Sequence, residues 1–299
     1  MKKASRFRRD IEGLRAVAVI LVVGFHASLP GFTGGFIGVD IFFVISGYLI
    51  TDLLVRELRE TGQLNFFQFY ARRARRLLPA QALTVVGTLA VGALLLSPLE
   101  QKSLAYAAAA TSLYVSNIWF LRNAVDYFGS DAAFNPLLHT WSLAVEEQFY
   151  VVWPVVILLA FRFGPSKKTL PIVIGTVFLI SFICCVWVTS TNQPWAFFGT
   201  HTRAWEFALG GVTSLMPSVK PVLVRLHSWL GWIGFVLVVS AGVMFTPDMD
   251  LPGSISLVPT LGAACLLLSG AGPRTSSIKC FLSTPLMNRI GELSYAWYL

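Results

Sequence analysis

The residues with chemistry to offer in this chain stand where charge is least welcome, inside or beside apolar runs. Arg15 and His26 are 11 residues apart in the first such run. On a helix that spacing is about 16 Å along the axis and about 20° around it, so both look along one face. An ionisable side chain within an apolar span is a candidate functional group by default. The plainer reading is that Arg15 reaches to the interface and His26 bonds a backbone carbonyl. Asp40 opens the next run, in Gly38-Val39-Asp40-Ile41-Phe42-Phe43. With antiparallel helices and a short loop over 30–35, Asp40 and His26 are expected at similar depth. There a carboxylate would orient the imidazole as a general base. The alternative for Asp40 is a carboxylate satisfying free amides at a helix start. Ser46 lies further along and suits back-bonding to its own helix better than attack.

The densest constellation is His139-Thr140-Trp141-Ser142-Leu143-Ala144-Val145-Glu146-Glu147-Gln148-Phe149-Tyr150. At helical spacing His139, Ser142 and Glu146 form a stripe, and Tyr150 shares the Glu146 face. Glu147 points about 100° away. Two adjacent acids inside a span bring no stability by themselves, so a working role is the stronger reading. Arg72, Arg73, Arg75 and Arg76 precede Leu77-Leu78-Pro79. Their helical spacing lets several guanidinium groups converge, which suits phosphate groups; a plain positive-inside anchor is the alternative. Arg203 and Glu206 stand three apart and can pair, as a structural ion pair or as part of a site. His139 and Glu146 lack a third ligand at matching spacing, so no metal is expected.

These groups must be positioned by membrane elements. The 299 residues are 55% hydrophobic and only 13% charged, with mean hydropathy +0.68. Soluble domains carry about 25% charged residues. The net charge of +8 sits mostly in short loops, as the positive-inside rule produces, so nucleic-acid binding is not expected. Cys184, Cys185, Cys265 and Cys280 make no CxxC spacing and read as apolar fillers. The basic N-terminus leads into a retained first helix, because Ser28-Leu29-Pro30 is a poor cleavage site.

The fold class expected is all-α, a polytopic transmembrane helix bundle of about nine to ten spans. Candidates are roughly 12–29, 36–54, 77–97, 139–161, 170–189, 203–216, 229–246, 253–270 and 286–299, with a weaker stretch at 103–121. Loop charges place the N-terminus in the cytoplasm. If 103–121 does not cross, Arg162, Lys167, Lys168, Lys220, Arg225, Arg274 and Lys279 fall inside, and Asp126, Asp131, Asp248 and Asp250 outside. The stretch 103–138 is therefore expected to be an outer-side or re-entrant element. The run ending at Leu299 looks like the middle of a span, so residues 1–299 read as one membrane domain cut short in its last span.

Five motifs in order make the chain resemble acyltransferase family 3, the membrane acyltransferases. They are Arg15–x10–His26; the run Gly38 to Leu49; Arg72, Arg73, Arg76 and Pro79; His139 to Tyr150 followed by Trp153-Pro154; and Thr202-Arg203-Ala204-Trp205-Glu206. The resemblance implies an enzyme of the bacterial inner membrane. It would move an acyl group, usually acetyl, from cytoplasmic acyl-CoA to a hydroxyl of an envelope polysaccharide or its lipid-linked precursor. His26 would be catalytic, working with Arg15 and with Asp40 as partner; Glu146 and Glu147 join this set. Arg72, Arg73 and Arg76 would meet the acyl-CoA phosphates. Ser46, His139, Ser142, Tyr150, Arg203 and Glu206 would line the site. No bound cofactor is implied; acyl-CoA is the donor substrate, and the glycan acceptor and lipid bilayer are the partners. Members of this kind often continue into an outer esterase-like domain. The alternative is a proton-coupled secondary transporter with Glu146, Glu147 and His26 as relay, which would have no use for the arginine cluster.

Overall fold

The computed structural model describes residues 8–123, 135–164, 168–216, 224–271 and 276–299. The loop charges at Asp126, Asp131, Lys167, Lys220 and Arg274, and the side chain of Arg225, lie outside these residues. Among the described residues there is no strand. In chain order the helices are α1 (Arg9–His26), α2 (Gly38–Thr61), α3 (Phe66–Leu95), α4 (Pro98–Ser112), α5 (Ser116–Arg122), α6 (Trp141–Phe163), α7 (Thr169–Thr191), α8 (Gln193–Phe198), α9 (Thr200–Leu215), α10 (Val224–Met244), α11 (Leu257–Ala271), α12 (Ser277–Leu282) and α13 (Pro285–Tyr298).

Five segments among the described residues are long and apolar enough to cross a membrane: Gly35–Thr61, Phe66–Leu95, Leu138–Phe163, Thr169–Thr191 and Ser254–Ala271. Ser228–Met244 is a shorter apolar helix. The expectation of nine to ten spans therefore meets several helices that fall short of the criterion. α1 carries Arg9, Asp10, Glu12 and Arg15. α9 and α13 have 16 and 14 residues, about 24 and 21 Å against a hydrocarbon core of about 30 Å. The stretch 103–121 is broken: α4 stops at Ser112 and α5 starts at Ser116, with Tyr114 at φ 54° between them. Few non-glycine residues adopt that left-handed conformation, and it ends the helix there.

The third span starts earlier than its apolar run. Asn65 accepts a hydrogen bond from the Gln68 amide at 2.9 Å, which caps α3 eleven residues before the expected start at 77. Arginine is a good helix former, so the arginine cluster is built into the helix rather than placed ahead of it.

The chain divides into two compact units. The first comprises Met1–Leu49, Leu209–Met249 and Ser256–Tyr298. Within it, helices meet through residues without side chains. A Cβ on Gly13 would lie 1.9 Å from the Leu282 carbonyl oxygen, and one on Gly291 would lie 1.9 Å from that of Glu12. Here α1 approaches α12 and α13 at backbone distance, the packing that small residues permit between membrane helices. The start of α1 is pinned by Arg8, which pairs with the buried Asp10 and donates to the Tyr48 hydroxyl at 2.7 Å and the Leu267 carbonyl at 2.9 Å.

The second unit comprises Ile50–Ala208 and Asp250–Ile255. Its interior is aromatic. Phe149 stacks on Phe207 at 4.3 Å and lies 4.5 Å from Trp153, whose indole donates to Thr51 at 2.8 Å. Arg203 and Glu206 form an ion pair at 2.8 Å, 3% and 0% exposed. Arg203 also donates to the Phe197 carbonyl at 3.2 Å, and its guanidinium lies 5.1 and 5.5 Å from the Phe197 and Trp141 rings. The ion pair that the i, i+3 spacing allowed is therefore formed.

Four variants test this packing, each read as the thermal midpoint of the detergent-solubilised protein. Gly13→Ala forces a backbone shift and should cost about 1–3 kcal/mol. Gly175→Ala meets open space and should gain up to about 1 kcal/mol from helix propensity. Glu206→Leu strands the Arg203 charge and should cost about 3–5 kcal/mol, whereas Arg203→Met with Glu206→Leu should cost less than that single change.

Candidate active site

In the first unit, His26 is the last residue of α1 and is exposed. Its Nδ1 lies 2.9 Å from the Val22 carbonyl oxygen. A carbonyl only accepts, so Nδ1 carries the proton and the neutral ring has its lone pair on Nε2. The backbone contact named as the plainer reading is thus present, and it selects the tautomer. Phe25 meets the ring edge-on at 5.3 Å. Arg15 is largely buried and reaches Glu12 at 3.4 Å. Ser46 is half-buried on α2.

Asp40 is buried near the start of α2. The short helical turn Gly35–Ile37 and the start of α2 pack low on α1: a Cβ on Gly35 would touch the Leu21 carbonyl, and one on Gly38 the Ala18 carbonyl. Continuing this antiparallel register puts the buried Asp40 about level with Ala16–Ala18. Its backbone is thus roughly 12–15 Å from the His26 backbone along the axis, while the His26 ring folds back down α1 to the Val22 carbonyl. The loop after His26 folds back down α1, whereas the sequence reading let α2 start at the tip.

In the second unit, α3 and α6 build a polar cluster. Arg73 donates to Glu147 Oε1 at 2.8 Å, and its guanidinium stacks over the Tyr150 ring at 3.4 Å. The Tyr150 hydroxyl donates to Glu146 Oε1 at 2.5 Å, the i, i+4 relation expected from the sequence. One turn before Arg73, the Tyr70 hydroxyl lies 3.3 Å from the carbonyls of Tyr150 and Val151. Pro154 has no N–H to bond the Tyr150 carbonyl, so a break in the ladder of α6 becomes an acceptor for α3. Tyr114 adds a third phenol, pushed up to about 12 first by burial and then by Glu147. It therefore remains a neutral hydroxyl at any working pH.

The expected grouping of Arg72, Arg73 and Arg76 is split by this geometry. Arg73 turns inward to the acids, while Arg72, Arg75 and Arg76 are exposed. The reason is angular: neighbours on a helix differ by about 100°, so Arg72 and Arg73 cannot share a direction. His139 sits in the tight turn Leu138–Thr140 that runs directly into α6, and Ser142 donates to its carbonyl at 3.2 Å. No group of three His, Cys, Asp or Glu side chains gathers among the described residues.

Some supporting residues escaped the sequence reading. Gln148 donates to the Tyr114 carbonyl at 2.9 Å and to Asn117 at 2.8 Å, and accepts from Thr200 at 2.5 Å. Asn117 donates to the Phe198 carbonyl at 3.0 Å. This amide network fixes the face of α6 next to the acids. Its one legible signal was Gln148 following the two glutamates within an apolar helix.

Comparison with known proteins bears on what this arrangement serves. A family model described as an acyltransferase domain matches residues 8–299. Peptidoglycan O-acetyltransferase OatA of Listeria monocytogenes is 34% identical over 100% of this chain and 50% of its own length. A putative O-acetyltransferase of Staphylococcus aureus strain MSSA476 is 34% identical over 99% of the chain and 50% of its own length. O-acetyltransferase OatA of Staphylococcus aureus strain NCTC 8325 is 33% identical over 98% and 50%. The chain spans about half the length of these curated relatives. No solved structure matches. The match runs through every helix described above, the His26 tip of α1 and the Arg73–Glu147 contact included, and the chain belongs to the acyltransferase domain family.

Proposed function

We propose that this chain is the membrane part of an O-acyltransferase of the bacterial inner membrane. It moves an acyl group, most simply acetyl, from cytoplasmic acyl-CoA to a hydroxyl of an envelope glycan or its lipid-linked precursor. The name of the Listeria relative makes peptidoglycan the first acceptor to test. The transporter alternative gains nothing from the family match. The observation that carries the reading is the His26 ring: its Nδ1 lies 2.9 Å from the Val22 carbonyl, which supports a neutral ring with its lone pair on Nε2, where a base or acyl carrier needs it.

As base, Nε2 takes the proton of the acceptor hydroxyl while its oxygen attacks the thioester carbonyl carbon. The carbon–sulfur bond breaks, and the CoA thiolate leaves with that proton as the thiol. As carrier, Nε2 itself attacks the thioester carbon, the carbon–sulfur bond breaks and the CoA thiolate leaves; the acceptor oxygen then attacks the acyl carbon, the carbon–nitrogen bond breaks to restore the imidazole, and the hydroxyl proton balances the thiolate as the thiol. Arg15 supplies positive charge on the same helix face. Asp40, buried near the start of α2, is assigned as the acidic partner of His26 and Arg15. Arg72 and Arg76, exposed on α3, are assigned to the donor's phosphates. Glu146 and Glu147, the acid pair on α6, are assigned as further catalytic groups. The topology that suits this reading has the N-terminus in the cytoplasm, with 103–138 on the outer side or re-entrant.

The test is acetyl transfer from labelled acetyl-CoA to peptidoglycan fragments by membranes containing the protein. His26→Ala should lower the rate by about 100-fold or more, the usual worth of a positioned base. Full activity in that variant would sink the assignment. His26→Asn keeps a donor for the Val22 carbonyl but has no base, and should be as inactive as the alanine variant. Arg72→Ala and Arg76→Ala should each raise KM for acetyl-CoA by about 10-fold, the scale of one charged hydrogen bond to phosphate.

A further inference from the structure

The arginine cluster on α3 is not one functional group. Arg72, Arg75 and Arg76 are exposed, whereas the Arg73 side chain is 20% exposed and turned onto α6. It makes two contacts of different kinds with the segment that holds the acid pair: the ion pair to Glu147 at 2.8 Å and the stack on Tyr150 at 3.4 Å. The ring it covers is the one whose hydroxyl donates to Glu146 at 2.5 Å. Arg73 thus reaches both acids, Glu147 directly and Glu146 through Tyr150. Tyr70 holds the same faces together one turn away. A lysine could neither stack as a plane nor present a fork, so these contacts require arginine.

We infer that Arg73 is a positioning residue for the Glu146/Glu147 pair and takes no part in holding the donor. The two glutamates are one residue apart in sequence but become chemically distinct. Glu147 is tied to a cation on α3, while Glu146 faces a neutral phenol on its own helix. That separation gives one acid a fixed electrostatic duty and leaves the hydrogen-bond exchange to the other. The kinetic consequence is specific. Removing a phosphate contact weakens donor binding, whereas disturbing the acid pair slows the chemical step with donor binding intact.

The kinetic part rests on the acyl-CoA reading above; the structural part does not. Two measurements are made on the protein in membranes or detergent. In acetyl transfer, Arg73→Ala should lower kcat by about 10-fold or more with KM for acetyl-CoA within about 2-fold, the opposite of Arg72→Ala. Arg73→Lys should fall between, and it carries the same measurement if the alanine variant fails to assemble. A KM raised about 10-fold at unchanged kcat would overturn the inference. In thermal unfolding without donor, Arg73→Glu and Glu147→Arg should each lower the midpoint, and their combination should recover part of the loss by restoring the pair with reversed sign. Simply additive losses would also overturn it. If the wild-type chain neither binds nor uses acetyl-CoA, the donor reading falls, and the thermal cycle still decides whether the pair exists.

Discussion

An apolar helix in a bilayer has no water to satisfy a charge, so each buried ionic group must find its partner within the protein. That constraint organises both units of this chain. Arg8 closes on Asp10, Tyr48 and the end of α11. Arg203 closes on Glu206 inside an aromatic cage. Arg73 closes on Glu147 across α3 and α6. Each pair offsets a desolvation cost of several kcal/mol per ion, and each fixes a contact that apolar side chains would leave free to slide.

Close packing does the rest. Where α1 meets α12 and α13, glycines bring backbones together. In the second unit, where α6 carries the acids, the work passes to stacked aromatic rings and a closed amide network around Gln148. α3 is the exception. Its apolar window is only 17% buried, so its register depends on a few polar anchors: Tyr70, Arg73 and Gln81, which donates to the Thr111 carbonyl at 2.7 Å. Two of these anchors reach α6 around the acid pair, which ties the placement of the third helix to the site.

Much of this was legible in the residues themselves. The apolar runs announced an all-helical membrane chain, the i, i+4 spacing announced the Tyr150–Glu146 bond, and the i, i+3 spacing announced the Arg203–Glu206 pair. These are short-range relations, set by the pitch of a helix. The span count was harder to read. Hydropathy does not see that α4 breaks at Tyr114, or that α9 and α13 are short. The start of α3 was hidden because charged residues that favour helix extend an apolar run without resembling it.

What only the tertiary structure decided are the relations between helices. Composition and motif order determined the class of protein and the set of polar residues worth watching. The sequence alone could not say that the start of α2 packs at the Ala18 level of α1 rather than at its tip, because that depends on how far the loop after α1 folds back before α2 begins. Nor could it separate Arg73 from Arg72 and Arg76, because which side of a helix faces a neighbour is set by the neighbour. Local pitch is written in the chain; register and facing follow from packing, where long-range contacts choose among arrangements that local spacing leaves equal.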